Sequence, residues 1–337
     1  MKRILFITTG GTIASSRGEE GFSPTLAGPD LLQAVPELDG LCQIQIQPVL
    51  NIDSSNMQPE NWVTMAETVF AARDDYDGAV IAHGTDTMAY TSAALSFMLR
   101  NIAIPVILTG SQIPMGEPGS DAPKNIYDAF CFACEQVAGV YIVFGGKVIN
   151  GARATKIHTK DFQAFVSLNY PEVATIHSGQ INYRSVPARG PVAPAQLSAD
   201  LCPDVCLIKL VPGTKPELLA AVKTLGYRGV VIEGFGAGGV PFTGRNLVPK
   251  IEELLQAGIA VVITTQCPYG GADLTLYEVG QKALKTGAIP AYDMATEAVV
   301  TKLMWTLGQT ADLAEVARIM LTDYVGEIRI PNKQDQG

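Results

Sequence analysis

The stretch FITTGGTIAS, residues 6–15, decides the fold, because an apolar run stops there on two glycines flanked by threonines. The same order of apolar run, glycine and threonine returns in AVIAHGTDT, residues 79–87. Apolar runs that end at a glycine are typical of buried strands followed by tight turns. The two stretches therefore predict strands whose ends present hydroxyl and carboxylate side chains.

Short runs rich in Val and Ile alternate with longer helical patterns along the chain. The predicted strands are 4–8, 43–49, 78–82, 105–109, 140–144, 205–210, 229–233 and 260–265. The predicted helices are 59–73, 89–100, 125–137, 215–225 and 247–257. Such alternation favours doubly wound sheets. The predicted fold class is α/β, with two α/β domains and mainly parallel sheets.

The alternation lapses in YRSVPARGPVAPAQLSADLCP, residues 183–203, which is rich in Pro, Ala and Ser. This composition is typical of a linker, and 337 residues suit two domains. We predict a larger N-terminal domain over 1–183, a linker over 184–203 and a smaller C-terminal α/β domain over 204–337.

Composition limits the class of protein. Hydrophobic residues make up 47% and charged residues 17%, as in a globular protein, and a net charge of -9 opposes binding to nucleic acid. The apolar stretch of MKRILFIT ends at Thr8, too early for a secretory signal. No run of roughly 18 apolar residues predicts a membrane span. A cytoplasmic protein without a membrane or nucleic-acid partner is expected.

The cysteines and histidines do not predict a metal site. Of the six cysteines, Cys131 and Cys134 form a C-x-x-C, but they lie in a helical apolar pattern that suits buried structural thiols. The three histidines do not cluster with cysteines or acids. No dinucleotide or phosphate-loop fingerprint is present either, so no cofactor is expected.

Polar side chains follow several predicted strands, where ligands bind in open α/β sheets. Thr12 follows the first strand, Thr85 and Asp86 follow the third, and Lys156 lies in GARATK. Each has a structural alternative, namely a turn, a helix cap or a solvated lysine. Together, a hydroxyl nucleophile, a lysine base and backbone N–H donors permit acyl transfer without a metal. G-x-S-x-G is absent, which disfavours an α/β-hydrolase.

A further stretch, NIDSSNMQPENW at 51–62, leaves a predicted strand and starts a helix. Ser54 and Ser55 could cap that helix or bind a ligand carboxylate at its N-terminus. Asp53 or Asp86 could then bind an ammonium group. The sequence thus predicts a pocket for the two charged ends of an amino acid.

These stretches together resemble the bacterial L-asparaginase family, most of all its cytoplasmic type I members. The similar segments are TTGGTIAS, NIDSSNMQPENW, HGTDTMAYTSAALSFML, TGSQIP, GARATK, VVITTQC and EAVVTKLMW, and they span nearly the whole chain. The resemblance implies hydrolysis of L-asparagine to L-aspartate and ammonia through a threonyl acyl-enzyme. It also implies two α/β domains with the active site mainly in the N-terminal one.

The resemblance assigns roles to individual residues. Thr12 would be the nucleophile, while Thr85, Asp86 and Lys156 would handle proton transfer and water activation. Ser54 would bind the substrate carboxylate. The remaining substrate-binding positions would be Asp53, Ser55, Thr85 and Asp86, the last of these for the α-ammonium group.

One position departs from the family pattern. Many members have a loop Tyr that hydrogen-bonds the nucleophile, whereas this loop reads SSRGEEGFSP, with Phe22 in that place. Because Phe has no hydroxyl, either another kind of group or a differently placed Tyr must activate Thr12. The loop remains a predicted lid.

Three further expectations concern assembly, regulation and alternatives. The family forms dimers or tetramers, so a homodimer or homotetramer is implied. Some type I members respond to asparagine at a second site, which makes Cys267 a candidate regulatory residue. The alternatives are a glutaminase, a mixed asparaginase-glutaminase, a non-catalytic asparagine sensor, and the related subunit of tRNA-dependent amidation, which typically has an extra N-terminal domain.

Overall fold

The computed structural model describes residues 1–18, 21–184 and 193–331. The chain divides into two units, Met1–Ala199 and Asp200–Gly337. The predicted linker, 184–203, falls partly outside the described residues, and its bounds stay a prediction. Within the described ranges, every helix is too short or too polar to traverse a lipid bilayer.

The first unit contains a large sheet, several small two-stranded pairings and four helices among its described residues. Its strands are β1 Arg3–Gly10, β2 Ser15–Gly18, β3 Gly21–Pro24, β4 Gln43–Ile52, β5 Gly78–Ala82, β6 Leu99–Arg100, β7 Pro105–Thr109, β8 Gly139–Phe144, β9 Lys147–Asn150, β10 Ala154–Lys156, β11 Phe165–Ser167, β12 Ala174–His177, β13 Gln180–Tyr183 and β14 Gln196–Leu197. Its helices are α1 Gly28–Gln33, α2 Pro59–Ala72, α3 Met88–Met98 and α4 Ala122–Ala133.

In the described part of the chain, the large sheet has eight strands in the order β13-β12-β9-β8-β7-β5-β1-β4. Strands β8, β7, β5, β1 and β4 are parallel, whereas β9, β12 and β13 pair antiparallel. The sheet is therefore mixed. Its parallel part consists of the strands that the sequence predicted, and the antiparallel strands were not foreseen.

The central parallel strands β1, β5 and β7 are buried on both faces. Ile4, Phe6 and Ile7 of β1 are fully buried. The ring of Phe130 on α4 packs 5.4 Å from that of Phe6. Burial on both faces explains why the sequence shows continuous apolar runs rather than alternation.

The ends of the central strands lie at one edge of the sheet. Thr8, two residues before the end of β1, pairs with Ala82 of β5, and Ala82 pairs with Thr109 of β7. The residues that follow these three strands therefore emerge side by side. The polar residues that the sequence places after these strands therefore lie at one edge of the sheet.

A buried chain of hydrogen bonds holds the turn after β5. Trp62 Nε1 donates to Thr91 Oγ1 over 3.0 Å, and Thr91 Oγ1 lies 2.9 Å from His83 Nε2. His83 Nδ1 lies 2.7 Å from the Gly84 carbonyl oxygen, which can only accept, so Nδ1 carries the proton and Nε2 accepts from Thr91. Burial lowers the pKa of His83 from 6.5 to about 4, so the ring is neutral at pH 7.

The second unit is a smaller α/β domain with a parallel sheet. Its strands are β15 Val205–Lys209, β16 Gly229–Gly234, β17 Ala260–Thr265 and β18 Ile289–Pro290, paired in that order. Its helices are α5 Glu217–Thr224, α6 Val248–Gln256, α7 Glu278–Leu284, α8 Thr296–Gln309 and α9 Leu313–Met320. The two units together confirm the predicted fold class of two α/β domains, the first the larger.

A fully buried ion pair fixes the segment after α9. Lys302 Nζ on α8 lies 2.5 Å from Glu327 Oε1 and donates to the carbonyl oxygens of Met320 and Thr322 at 3.0 and 2.6 Å. Glu327 accepts in turn from the Val325 backbone N–H at 2.8 Å. Burial of charge is tolerated here because each ion has several partners.

Truncating Phe130 to Ala is expected to lower the free energy of unfolding by about 3–5 kcal/mol, because its buried ring leaves a cavity against Phe6. Phe162→Ala is the matched control, since Phe162 is 43% exposed. Urea unfolding of both variants tests this. Equal midpoints for the two variants would contradict the packing described.

The neutral His83 makes stability depend on pH. Its folded-state pKa of about 4 lies below the ordinary 6.5, so the unfolded chain binds the proton more readily. The contribution of the neutral His83 to the free energy of unfolding is fully present above about pH 6.5. It is lost as the pH falls towards 4, by roughly 3 kcal/mol in total.

We expect His83→Gln to flatten the decline in unfolding free energy between pH 6.5 and 4. His158→Gln, which changes an exposed histidine, should keep the wild-type decline. Urea unfolding across this pH range measures both profiles. The hypothesis fails if NMR shows the His83 ring of the folded protein titrating with a pKa near 6.5.

Candidate active site

Two glycines bring the ends of β1 and β5 into backbone contact. Gly11 has φ +78°, and a Cβ added there would lie 2.3 Å from the backbone nitrogen of Gly84. The Gly11 N–H donates to the Ile52 carbonyl oxygen over 2.9 Å, which also joins the end of β4. Only glycine fits this approach. Thr12 and Thr85, which directly follow these two glycines, are thereby brought to the same part of the sheet edge.

Ser54 belongs to the same group of strand ends. A Cβ added at Gly84 would lie 2.5 Å from Ser54 Oγ, and Thr87 Oγ1 donates to the Ser54 carbonyl oxygen over 2.8 Å. Ser54 itself is buried, at 4% exposed. Its neighbours Asp53 and Ser55 are exposed, and the Asp53 carboxylate accepts from the Ser55 N–H at 2.8 Å, which caps the helical turn Ser54–Asn56.

Lys156, at the end of β10, reaches the turn after β5. Its Nζ donates to Thr85 Oγ1 and to Asp86 Oδ1, at 2.7 Å in each case. The Thr85 residue is 4% exposed, whereas the Asp86 side chain is 60% exposed. The structure therefore joins three of the predicted catalytic residues in one hydrogen-bonded group, with the hydroxyl buried and the carboxylate facing solvent.

Thr12 directly follows Gly11, whose backbone contacts Gly84, and it starts a 3₁₀ turn, Thr12–Ala14. The turn is closed by the Ala14 N–H and the Ser15 hydroxyl, both of which donate to the Gly11 carbonyl oxygen, at 3.1 and 2.9 Å. The Thr12 side chain is half-buried. A hydroxyl near a lysine and hydroxyl pair is an arrangement that can transfer protons and form a covalent ester.

Gln112 and His83 also contribute to the site, although the sequence assigned neither a role. Gln112 follows β7 in TGSQIP and contacts Thr85, with Oγ1 and Oε1 3.4 Å apart. His83 bonds the Gly84 carbonyl oxygen. The position of TGSQIP at a strand end was the available signal for Gln112. Nothing in the sequence distinguished His83 from an ordinary buried histidine.

The segment after Thr12 forms a hairpin of β2 and β3, in which Phe22 pairs through its backbone with Arg17. Glu19 and Glu20 lie outside the described residues. The lid function of this hairpin, and the identity of the group that takes the place of the loop Tyr, stay open predictions.

Cys267 lies in the second unit, just after β17, and is exposed. Its N–H donates to Thr265 Oγ1 over 3.0 Å. Its regulatory role stays a prediction. Among the residues that the structure describes, no group of three or more His, Cys, Asp or Glu side chains could hold a metal ion.

Family models match both parts of the chain. The model described as "Asparaginase, N-terminal" matches residues 3–189, and the model described as "Glutaminase/Asparaginase C-terminal domain" matches residues 204–320.

Individual asparaginases are also similar to this chain, in agreement with the family models. The chain is 48% identical to an L-asparaginase of Thermococcus kodakarensis, over 97% of this chain and 99% of that protein. The solved structure of the thermostable L-asparaginase from Thermococcus kodakarensis superposes with a TM-score of 0.92, over 98% of this chain and 100% of that one. L-asparaginase I from Vibrio cholerae is 30% identical with a TM-score of 0.87, covering 98% and 99%.

A second kind of relative matches less completely. A glutamyl-tRNA(Gln) amidotransferase subunit of Pyrococcus abyssi is 38% identical over 97% of this chain but only 77% of its own length. The prediction of a type I resemblance agrees with the Vibrio structure, while the restriction to bacterial members is not supported, because the relative at 48% identity is archaeal. The chain is an enzyme and belongs to the asparaginase family, with both the N-terminal and the C-terminal domain of that family.

Proposed function

We propose that this protein hydrolyses L-asparagine to L-aspartate and ammonia through an acyl-enzyme formed on Thr12. The observation that carries the proposal is the pair of 2.7 Å contacts from Lys156 Nζ to Thr85 Oγ1 and Asp86 Oδ1, at the sheet edge that Thr12 shares. The similarity to the Thermococcus L-asparaginase supports asparagine as the substrate.

Thr12 and Thr85 have different surroundings, which suggests different roles. The Thr85 hydroxyl is already held between Lys156 and Gln112, as suits a group that passes protons. Thr12 is therefore proposed as the attacking group. Its oxygen bonds to the side-chain carbonyl carbon of asparagine, and its proton passes to the amide nitrogen, which leaves as ammonia. Water then cleaves the ester through Thr85 and Lys156 and releases aspartate.

The substrate's amino-acid end is proposed to bind beside this group. Ser54, next to Gly84, would donate to the α-carboxylate, with Ser55 beside it. The exposed Asp86 carboxylate would accept from the α-ammonium group, and Asp53 would line the same pocket. The Asp86 carboxylate thus contacts both the substrate and Lys156, which couples substrate binding to the catalytic lysine.

Glutamine is the alternative substrate, and the C-terminal family description names both activities. Glutamine is longer than asparagine by one methylene group, which is worth only about 1–3 kcal/mol in a binding pocket. Discrimination between the two substrates therefore depends on the detailed shape of the pocket. The identity of 48% to the asparaginase, against 38% to the amidotransferase subunit, favours the free amino acid over a tRNA-linked role. The cytoplasmic location, the homo-oligomer and the allosteric response stay predictions.

Thr12→Ala is expected to lower kcat for ammonia release from L-asparagine by at least about 1,000-fold, because the nucleophile is removed. Thr12→Ser keeps a hydroxyl and should retain measurable turnover. Coupled ammonia assays across asparagine and glutamine concentrations give kcat and KM for each protein.

The control is Thr64→Ala, which changes an exposed threonine on α2 whose hydroxyl donates to the Glu60 carbonyl oxygen, at 3.1 Å. It should keep wild-type kcat. A Thr12→Ala protein that still turns over asparagine would rule out the proposed nucleophile. No ammonia from either amide in the wild type would overturn the proposed reaction.

A further inference from the structure

The side-chain amide of Gln112 connects the turn after β5 with the segment that follows Lys156. Its Nε2 donates to the backbone carbonyl oxygens of Asp161 and His158, at 3.0 and 3.3 Å. Its Oε1 lies 3.4 Å from Thr85 Oγ1. One side chain therefore contacts both of the chain segments that carry the Thr85 and Lys156 pair.

These contacts fix which end of the amide faces Thr85. Carbonyl oxygens only accept hydrogen bonds, so the –NH₂ end of Gln112 must face Asp161 and His158. The carbonyl end then faces Thr85, and it also only accepts. Thr85 must be the donor in this contact, and its hydroxyl proton points at Gln112.

The direction of that proton determines what Thr85 offers to Lys156. A hydroxyl has one proton and two lone pairs, so a proton directed at Gln112 leaves a lone pair for Lys156 Nζ, which lies at 2.7 Å. The 3.4 Å contact is long for two oxygens, and such contacts often shorten when substrate binds.

The backbone of Gln112 is held independently of its side chain. The Asp121 carboxylate, at the start of α4, accepts from the N–H groups of Gln112 and Ile113 at 3.0 Å each. Asn125 Nδ2 also donates to Asp121, at 2.9 Å. A substitution at position 112 therefore removes the amide contacts without releasing the loop.

We propose that Gln112 is a positioning residue of the reaction, which keeps a lone pair of the Thr85 hydroxyl directed at Lys156 and holds the segment after Lys156 in place. The proposal rests on the function proposed above and adds a residue that acts through Thr85 rather than on substrate. Since the side chain is bonded to Thr85 and to backbone oxygens, its loss should affect turnover more than substrate binding.

The test replaces Gln112 by Met, which has a similar length but no donor or strong acceptor, and by Leu, which has a different apolar shape. Either variant is expected to lower kcat for asparagine about 10-fold, because part of the acid-base contribution is lost, while KM changes less than about 3-fold. If Met and Leu, which differ in shape, lower kcat equally, the lower kcat results from loss of the amide group. If the Met variant does not fold, the Leu variant provides the test.

Gln163→Met is the matched control. Gln163 also donates from its amide to a backbone carbonyl oxygen, that of Gly145 at 2.9 Å, and it lies on the same stretch that follows Lys156. It should keep wild-type kcat and KM. Thermal unfolding of all variants checks that each is folded at the assay temperature.

The proposal is overturned if the wild type hydrolyses asparagine while the folded Gln112 variants keep kcat within about twofold, or if KM rises instead of kcat falling. It is also overturned if Gln163→Met loses as much activity as Gln112→Met, since the effect would then be one of loop stability. A wild type that releases no ammonia would instead remove the proposed function itself, which separates the two failures.

Discussion

The site depends on backbone contacts that only glycine allows. A Cβ at Gly11 would meet Gly84 at 2.3 Å, one at Gly84 would meet the Ser54 side chain at 2.5 Å, and one at Gly110 would meet the His83 carbonyl oxygen at 2.3 Å. Three strand-end turns thus pack backbone to backbone, closer than any side chain permits. Because the turns after β1 and β5 touch, Thr12 and Thr85, which follow them, lie at the same part of the sheet edge.

Below this contact, polar groups are buried in fully bonded chains. The neutral His83 ring accepts from Thr91 and donates to Gly84, and Thr91 accepts from Trp62. Each side-chain polar atom in this series of hydrogen bonds, from Trp62 to Gly84, has a partner. Its burial therefore costs little free energy, and the turn after β5 is held in one geometry. The Lys156 and Asp86 side chains lie nearer to solvent than His83, since they are 15% and 60% exposed.

Local sequence patterns predicted the central strands well, because these strands are fully buried and a fully buried strand is a continuous apolar run. The bounds of β5, β7 and β17 agree with the predicted strands to the residue. Helix α3 ends at Met98 rather than at 100, since Leu99 and Arg100 leave the helix to pair with β14. The antiparallel strands β9, β12 and β13 were missed because each has only four residues, too few for a clear apolar pattern.

The sequence by itself determined the central parallel strands, the glycine turns and the kinds of side chain at their ends, because burial and tight turns leave local signatures. Only the tertiary structure decided which of those side chains meet. Lys156 bonds Thr85 across 71 residues, and Gln112 contacts Thr85 across 27. The tertiary structure also decided that His83 is neutral and that the Gln112 side-chain carbonyl faces Thr85. Such properties arise from neighbours distant in sequence, whose approach no local pattern records.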